Sequence, residues 1–476
     1  MYKIQQLLTV FLQMVVSIYE IFQSVKSFEE LEERVQRISQ RATAELIQIA
    51  VEEIDERLAN ERDRKQLINI GKRKRTLVTT AGEISVERRY YKDISTGQNR
   101  LLLDETLGLA TSKRVSPRLS KMMLEMGIEM PFRKAARLLE YLVPGVSAMT
   151  VWNEVKQSGE RAKQEAEETT KRVFEDGVVP EGKREAKILN IEADGVLIRQ
   201  QRSSKRHAEV KLFVGYERKE GNPKRLINRC SVAGVGEGIA MWEEASAKFG
   251  QEWRLNRKSK VRIGGDGAAW VKEGLELFPG ASYHLDPFHL RKHLTESLSF
   301  SSQHYQKACE KILDLDDQGL EKVLNEALRI ATNKNQRKRI RQLHRYLLNN
   351  WDGISQLSAE ERLGTVEGQI RHTIARRMKR IGARWSPAGT DNMARLLAAK
   401  ANQELSRYAT HYQPIEQEKL IKVLPESLVK PNDKDSQRDY SNWLAAEIPA
   451  RFGPHADHMW VKYVLREISQ ITAFSA

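Results

Sequence analysis

Cysteine is almost absent: Cys230 and Cys309 are the only two in 476 residues, and they lie far apart. That excludes a disulfide framework and a cysteine-rich zinc knuckle, and it fits a reducing cytoplasm. Long apolar runs are scarce too. The most apolar stretch, Leu7 to Phe22, is interrupted by Gln13, Ser17 and Glu20 and lacks a small-residue cleavage site. It reads as an amphipathic helix shorter than a membrane span, so no membrane partner is expected. Acidic residues are in deficit, 64 against 79 lysines and arginines, for a formal charge of +15. With a bilayer set aside, that excess points to nucleic acid. The length allows a sizeable core and about two or three domains.

What is present reads first as helix. Ser27-Phe-Glu-Glu30 has the form of a capping box, and Phe28, Leu31, Val35, Ile38, Ala42 and Ile49 follow at largely helical spacing, giving a helical N-terminal region over residues 1–70. Over 71–184 the pattern predicts a β-hairpin and a helix-turn-helix-like DNA-binding region. Lys72, Arg73, Lys74 and Arg75 form a basic entrance to the strands Thr76 to Thr80 and Glu83 to Tyr91, suited to phosphate contact. Helical periodicity returns between Ser116 and Gly159, broken at Met130-Pro131 and Pro144-Gly145. Ser147 then caps a second helix that exposes Thr150, Asn153 and Lys156, side chains fitted to base edges and phosphates. A charged helix runs from Gln157 towards Gly177, and the loop Pro180-Glu-Gly182 marks a boundary.

From there the pattern changes to strands. Lys187 to Ile198, His207 to Tyr216 and Arg225 to Val235 precede a helix, Gly238 to Phe249. The strand Lys260 to Gly264, the helix Ala268 to Phe278 and the strand Ser282 to Leu285 follow. This β-β-β-α-β-α-β order predicts an α/β ribonuclease-H-like catalytic core over 185–400, with a long all-helical insertion at about 290–363 and a helical C-terminal region over 401–476. On the first strand Asn190, Glu192 and Asp194 share a face. A carboxylate there needs either a salt bridge or a cation. Asp266 falls just beyond a strand's carboxyl end, between glycines that permit close approach, and the topology brings it beside Asp194. Such paired carboxylates repel unless divalent ions neutralise them. A third acid is expected from a later helix, and Glu367 is the best placed; Glu192 and Glu361 remain alternatives. Arg376, Arg377, Lys379 and Arg380 follow Glu367 and suit DNA phosphates. His284, His289 and His293 suggest zinc, but no clear fourth ligand accompanies them.

The runs IEADGVLI, IGGDGAAW, YHLDPFHLRKHL and GTVEGQIRHTIARRMKRIGARWSPAG, with RTLVTTAGEISVERRYY and LDETLGL nearer the start, resemble the ISLre insertion-sequence family of transposases, related more distantly to Mutator-like elements. The resemblance spans nearly the whole chain. It implies DDE chemistry with Asp194, Asp266 and Glu367 as catalytic metal ligands, and Asp286 and His289 as the accessory Asp-x-x-His pair. Three hard-oxygen ligands favour Mg2+, with Mn2+ able to substitute, and the resemblance further implies a dimer or higher multimer acting in the cytoplasm, at the nucleoid, on double-stranded DNA, both terminal inverted repeats and target. Two rivals stand beside it: a nuclease or resolvase of the same fold, and a catalytically inactive DNA-binding regulator.

Overall fold

The computed structural model describes residues 2–409, apart from 111–112, 144, 222–224, 257, 357–362 and 380–381. The C-terminal region beyond 409, with Arg380 and Glu361, therefore lies outside the described residues. In chain order the principal elements are the helices α1 (Tyr2–Ser24) and α2 (Phe28–Glu61), and the strands β1 (Leu67–Thr79) and β2 (Gly82–Asp93). Three helices follow: α3 (Pro117–Glu129), α4 (Phe132–Glu140) and α5 (Ala148–Phe174). Then come β3 (Ile188–Arg199), β4 (His207–Tyr216), β5 (Cys230–Gly234), α6 (Gly238–Glu252), β6 (Lys260–Gly265) and β7 (Ser282–Leu285). The remainder is helical: α7 (Pro287–Leu298), α8 (Ser302–Leu313), α9 (Asp317–Ile330), α10 (Lys334–Asn349), α11 (Val366–Ile370) and α12 (Pro387–Ala401).

A five-stranded sheet of order β7-β6-β3-β4-β5 organises the second half. β3, β4 and β5 are successively antiparallel, whereas β6 lies parallel to both β3 and β7. Alternation along β3 divides the core. Leu189, Ile191 and Ala193 pack with Phe213, Trp242 and Phe249 on one side, and that core continues into the bundle α7–α10. Val196 and Ile198, on the Asp194 face, pack with Leu212, Ile370, Ile374, Met378 and α12. Both faces are covered, as a sheet with parallel strands requires. α5 crosses α12 at Gly159, where a β-carbon would stand 2.4 Å from that of Asn392.

Two expected elements divide. The stretch Arg225 to Val235 breaks because Asn228 adopts a left-handed backbone (φ 53°). Arg225–Ile227 then pairs with Arg218–Glu220 outside the main sheet, and only Cys230–Gly234 joins it. The helix Ala268 to Phe278 becomes two short turns, with Gly274 pressed against the Trp242 ring. By contrast, the two helices read at Ser147 and Gln157 are one continuous α5.

In the N-terminal region Ser27 Oγ accepts the Glu30 amide at 3.2 Å and starts α2. The hairpin corrects the expected basic entrance: β1 already begins at Leu67, so Lys72, Arg73 and Lys74 are exposed strand residues and Arg75 is buried. Arg75 donates to Asp104 at 2.6 Å, and Arg88 is paired with the same carboxylate. Burial and the neighbouring Arg75 bring the Arg88 pKa down to about 10. Asp55 of α2 holds Arg89 at 2.8 Å on the other strand. The expectation for the start of the chain is also corrected, since Ile4–Ser24 is 21 residues and by length and composition long enough to cross a membrane.

Asp104 thus faces two buried guanidinium groups, with the Ala110 and Lys113 carbonyls also accepting from Arg75. Asp104→Ala should cost about 3–5 kcal/mol in urea unfolding, the usual cost of stranding a buried charge. A loss under about 1 kcal/mol, the range of surface pairs, would contradict this role.

Candidate metal centre

The parallel ladder between β3 and β6 ends at Ala193 opposite Gly265, so Asp194 and Asp266 leave it side by side. Glycine makes the approach possible: at Gly265 a β-carbon would lie 2.6 Å from Val271 and 2.8 Å from the Ala193 carbonyl oxygen. Asp194 is 5% exposed, and its Oδ1 accepts the Gly195 amide at 2.7 Å. Burial pushes its carboxyl up to about 6, aided by the charges of Asp266 and Glu367 and opposed by the Gly195 amide and His289. Asp266 is half-buried, accepts the Ala268 amide at 2.9 Å, and through its carbonyl accepts the Tyr346 hydroxyl at 2.9 Å.

Glu367 is exposed on the first turn of α11, and its placement depends on Glu192. The Glu192 carboxylate, 1% exposed, accepts the amides of Gly364 (2.8 Å), Thr365 (2.6 Å) and Val366 (3.1 Å). It also accepts the hydroxyls of Thr365 (2.7 Å) and Tyr216 (2.5 Å). A carboxylate is thus set against the free amides that open a helix, where its charge is most stabilising. Gly364 turns the chain into this grip with φ +113°, and a side chain there would crowd Asp286. A π turn, Arg371–Ala375, follows Glu367, the kind of helix irregularity often found at functional sites.

Asp194, His289 and Glu367 offer ligand atoms that all lie within 4.8 Å of one another. Asp266 is outside this trio but close enough for its charge to act on both Asp194 and His289. Buried Asp286 caps α7, accepting the Phe288 amide at 3.0 Å, and holds His289 Nδ1 at 2.8 Å. Burial alone would lower the His289 pKa, but the Asp286 bond and the charges of Asp286, Asp194 and Asp266 carry it above the ordinary histidine value. With Nδ1–H given to Asp286, Nε2 is the nitrogen left to bind a cation, the arrangement by which a carboxylate orients a ligating imidazole. Two carboxylates and an imidazole suit Mg2+ or Mn2+, and the nitrogen favours Mn2+ more than an all-oxygen site would. Histidines 284 and 293 do not converge: His284 bonds Ser282 at 2.9 Å, and His293 packs on the Tyr346 ring at 4.2 Å.

The expected DNA contacts differ in exposure. Lys72, Arg73 and Lys74 are exposed, as are Asn153 and Lys156 on α5 beside the exposed Trp152. Thr150 is half-buried and bonded to Ser147 at 2.9 Å. Arg376 and Lys379 are exposed. Two expectations need correction. Arg75 is committed to Asp104, and Arg377 is buried, donating to the carbonyls of Gly127 (3.1 Å) and Met130 (2.9 Å) while stacking on Trp385. Neither cation has a free face for phosphate.

A family profile described as "Uncharacterised protein family (UPF0236)" matches residues 22–413. The chain is 28% identical over 390 residues to a UPF0236 protein of Caldanaerobacter subterraneus subsp. tengcongensis whose name joins eleven loci, the match covering 80% of each chain. It is 27% identical over 399 residues to a second UPF0236 protein of that organism, covering 82% of this chain and 83% of the relative. With the UPF0236 protein in the vanSb 3′ region of Streptococcus gallolyticus it shares 25% over 404 residues, covering 82% and 86%.

Two outcomes follow from the centre's electrostatics. Asp194's raised pKa means that its protonated form stabilises the metal-free fold below about pH 4, and that this contribution is lost as pH rises through about 6. Asp194→Asn should therefore raise metal-free stability by about 3 kcal/mol at pH 7, with the gain shrinking as pH falls towards 4; a pH-independent difference would contradict it. Glu192→Gln, which removes charge but no ligand, should weaken Mn2+ binding about 10- to 100-fold in calorimetry. Unchanged affinity would show that the Glu192 grip does not position Glu367.

Proposed function

The chain belongs to the UPF0236 family, and from that premise and the geometry of the centre we propose that it is a DNA transposase of the DDE kind. The observation that carries this reading is the convergence of Asp194, His289 and Glu367, with Asp266 alongside, from separate segments of the sequence. Three antiparallel strands followed by two parallel ones, with the acids where β3 and β6 part, support a ribonuclease-H-like reading of the core. A relative whose name joins eleven loci is consistent with a gene that copies itself.

When bound, divalent ions would supply the Lewis acidity that activates water or a 3′-hydroxyl and stabilises the departing 3′-oxygen. The chain's own residues do the positioning. Asp194 and Glu367 hold the charge, Asp286 fixes the His289 ring, and Asp266 completes the acidic side on a backbone steadied by Tyr346. Gly265 lets β3 and β6 close up beside Asp266, and Gly267 lets the Asn350 side chain pack against the turn that follows it. The exposed cations of β1 and α5 suit the duplex flanking the cut. In this reading the protein works as a multimer on paired inverted repeats and then on target DNA in the cytoplasm, with Mg2+ as the physiological ion.

The test is cleavage and joining of duplexes carrying the sequences that flank the gene. The intact protein with Mg2+ should nick and join them, whereas Glu367→Ala should bind them and lose on the order of a thousandfold in both steps. Full activity in the variant would remove Glu367 from the centre. Binding without cutting by the intact protein would favour a regulator.

A further inference from the structure

The centre leaves unexplained the most basic of the described helices. α10 contains six lysines and arginines and no acid. Its apolar side, Ile340, Leu343 and Leu347, is buried in the bundle. On the opposite side Lys334, Arg337, Lys338, Arg341 and Arg345 are all exposed, within an arc of about 100° at 3.6 residues per turn. Among the described residues no carboxylate pairs with any of them, although ion pairs are common on other helices of this chain. Five cations in one row without counter-charges repel each other, a cost that an anionic partner relieves.

The row is also tied to the centre. The residue after Arg345 is Tyr346, whose hydroxyl bonds the Asp266 carbonyl at 2.9 Å. One turn further, the Asn350 side chain lies against Gly267. The same rigid helix that steadies the backbone of one acid therefore presents the cations. From Arg345 back to Lys334 the row spans about 17 Å, long enough to face several phosphates of a duplex, which carries one charge per about 1.7 Å of its axis over both strands.

We propose that this face of α10 is a docking strip for the phosphate backbone of duplex DNA, holding the double helix next to the cut site. The proposal deepens the transposase reading and rests on it for the choice of DNA as partner. Phosphate contacts fix register and carry no sequence information, so the strip positions any duplex equally. Selection of the element's ends falls to other surfaces.

The test is binding of the full-length protein to labelled duplexes without divalent metal, over a potassium chloride series, compared with the variant Arg337→Gln/Arg341→Gln/Arg345→Gln. Glutamine preserves helix propensity at these exposed sites, and circular dichroism checks that the fold is intact. The slope of log affinity against log salt should fall by about two to three, with at least a tenfold loss at low salt that is equal for gene-flanking and unrelated duplexes. An unchanged slope, or a loss seen only with single-stranded RNA or an acidic polypeptide, would overturn the strip. Because binding is read without metal, the two readings can fail separately. A protein that cuts no DNA yet shows the reduced slope keeps the strip and refutes the chemistry, and intact cleavage with an unmoved slope does the reverse.

Discussion

Five hydrogen bonds converge on the buried carboxylate of Glu192, and the geometry of the centre depends on them. Without a charge against the amides of Gly364, Thr365 and Val366, the start of α11 would have no partner inside the protein, and Glu367 would not be held over β3. The donors come from β4 and from a segment more than 170 residues beyond Glu192, so a single side chain joins the antiparallel half of the sheet to the late helix. A buried carboxylate is tolerated there because its donors surround it. Its neighbour two residues along, Asp194, has one local amide and faces other acids. The two carboxylates on one strand face thus have opposite character. One is satisfied and structural, and the other is electrostatically frustrated in a way that a cation relieves.

The same division runs through the basic residues. Arg75, Arg88 and Arg377 are buried against a carboxylate or carbonyls and serve as clamps within the fold. The cations of Lys72 to Lys74 and of α10 are exposed. Net charge alone does not distinguish these populations, and only the exposed one can attract a polyanion. Arg377 shows how misleading adjacency is: it lies between exposed Arg376 and Met378, yet its guanidinium reaches α3 and stacks on Trp385.

Much of the fold was legible in the sequence where periodicity was strong. β4 and β7 begin and end at the residues their alternating pattern marks, and the buried stripe Ile370, Ile374, Met378 follows from helical spacing. Single-residue backbone features were not legible: the left-handed Asn228 that splits a strand, and Gly274 against Trp242. Asp194, Asp266 and Glu367 stood out as acids at strand ends and a helix start. The closeness of His289 to Asp194 and Glu367 is not legible in the sequence, because it depends on how α7 leaves β7. From the sequence, Glu192 is only another possible ligand. Alternation puts it on the right face, but nothing local announces that its partners lie in the Gly364 to Val366 segment.

The central claim is that Asp194, His289 and Glu367 form one divalent cation site, with Asp266 beside it. Its most direct test is anomalous scattering from crystals of the protein soaked in Mn2+. A peak within coordination distance of all three side chains, reduced or lost in His289→Ala, is the expected result. A peak elsewhere, or none at this position while the three side chains stay together, would contradict it.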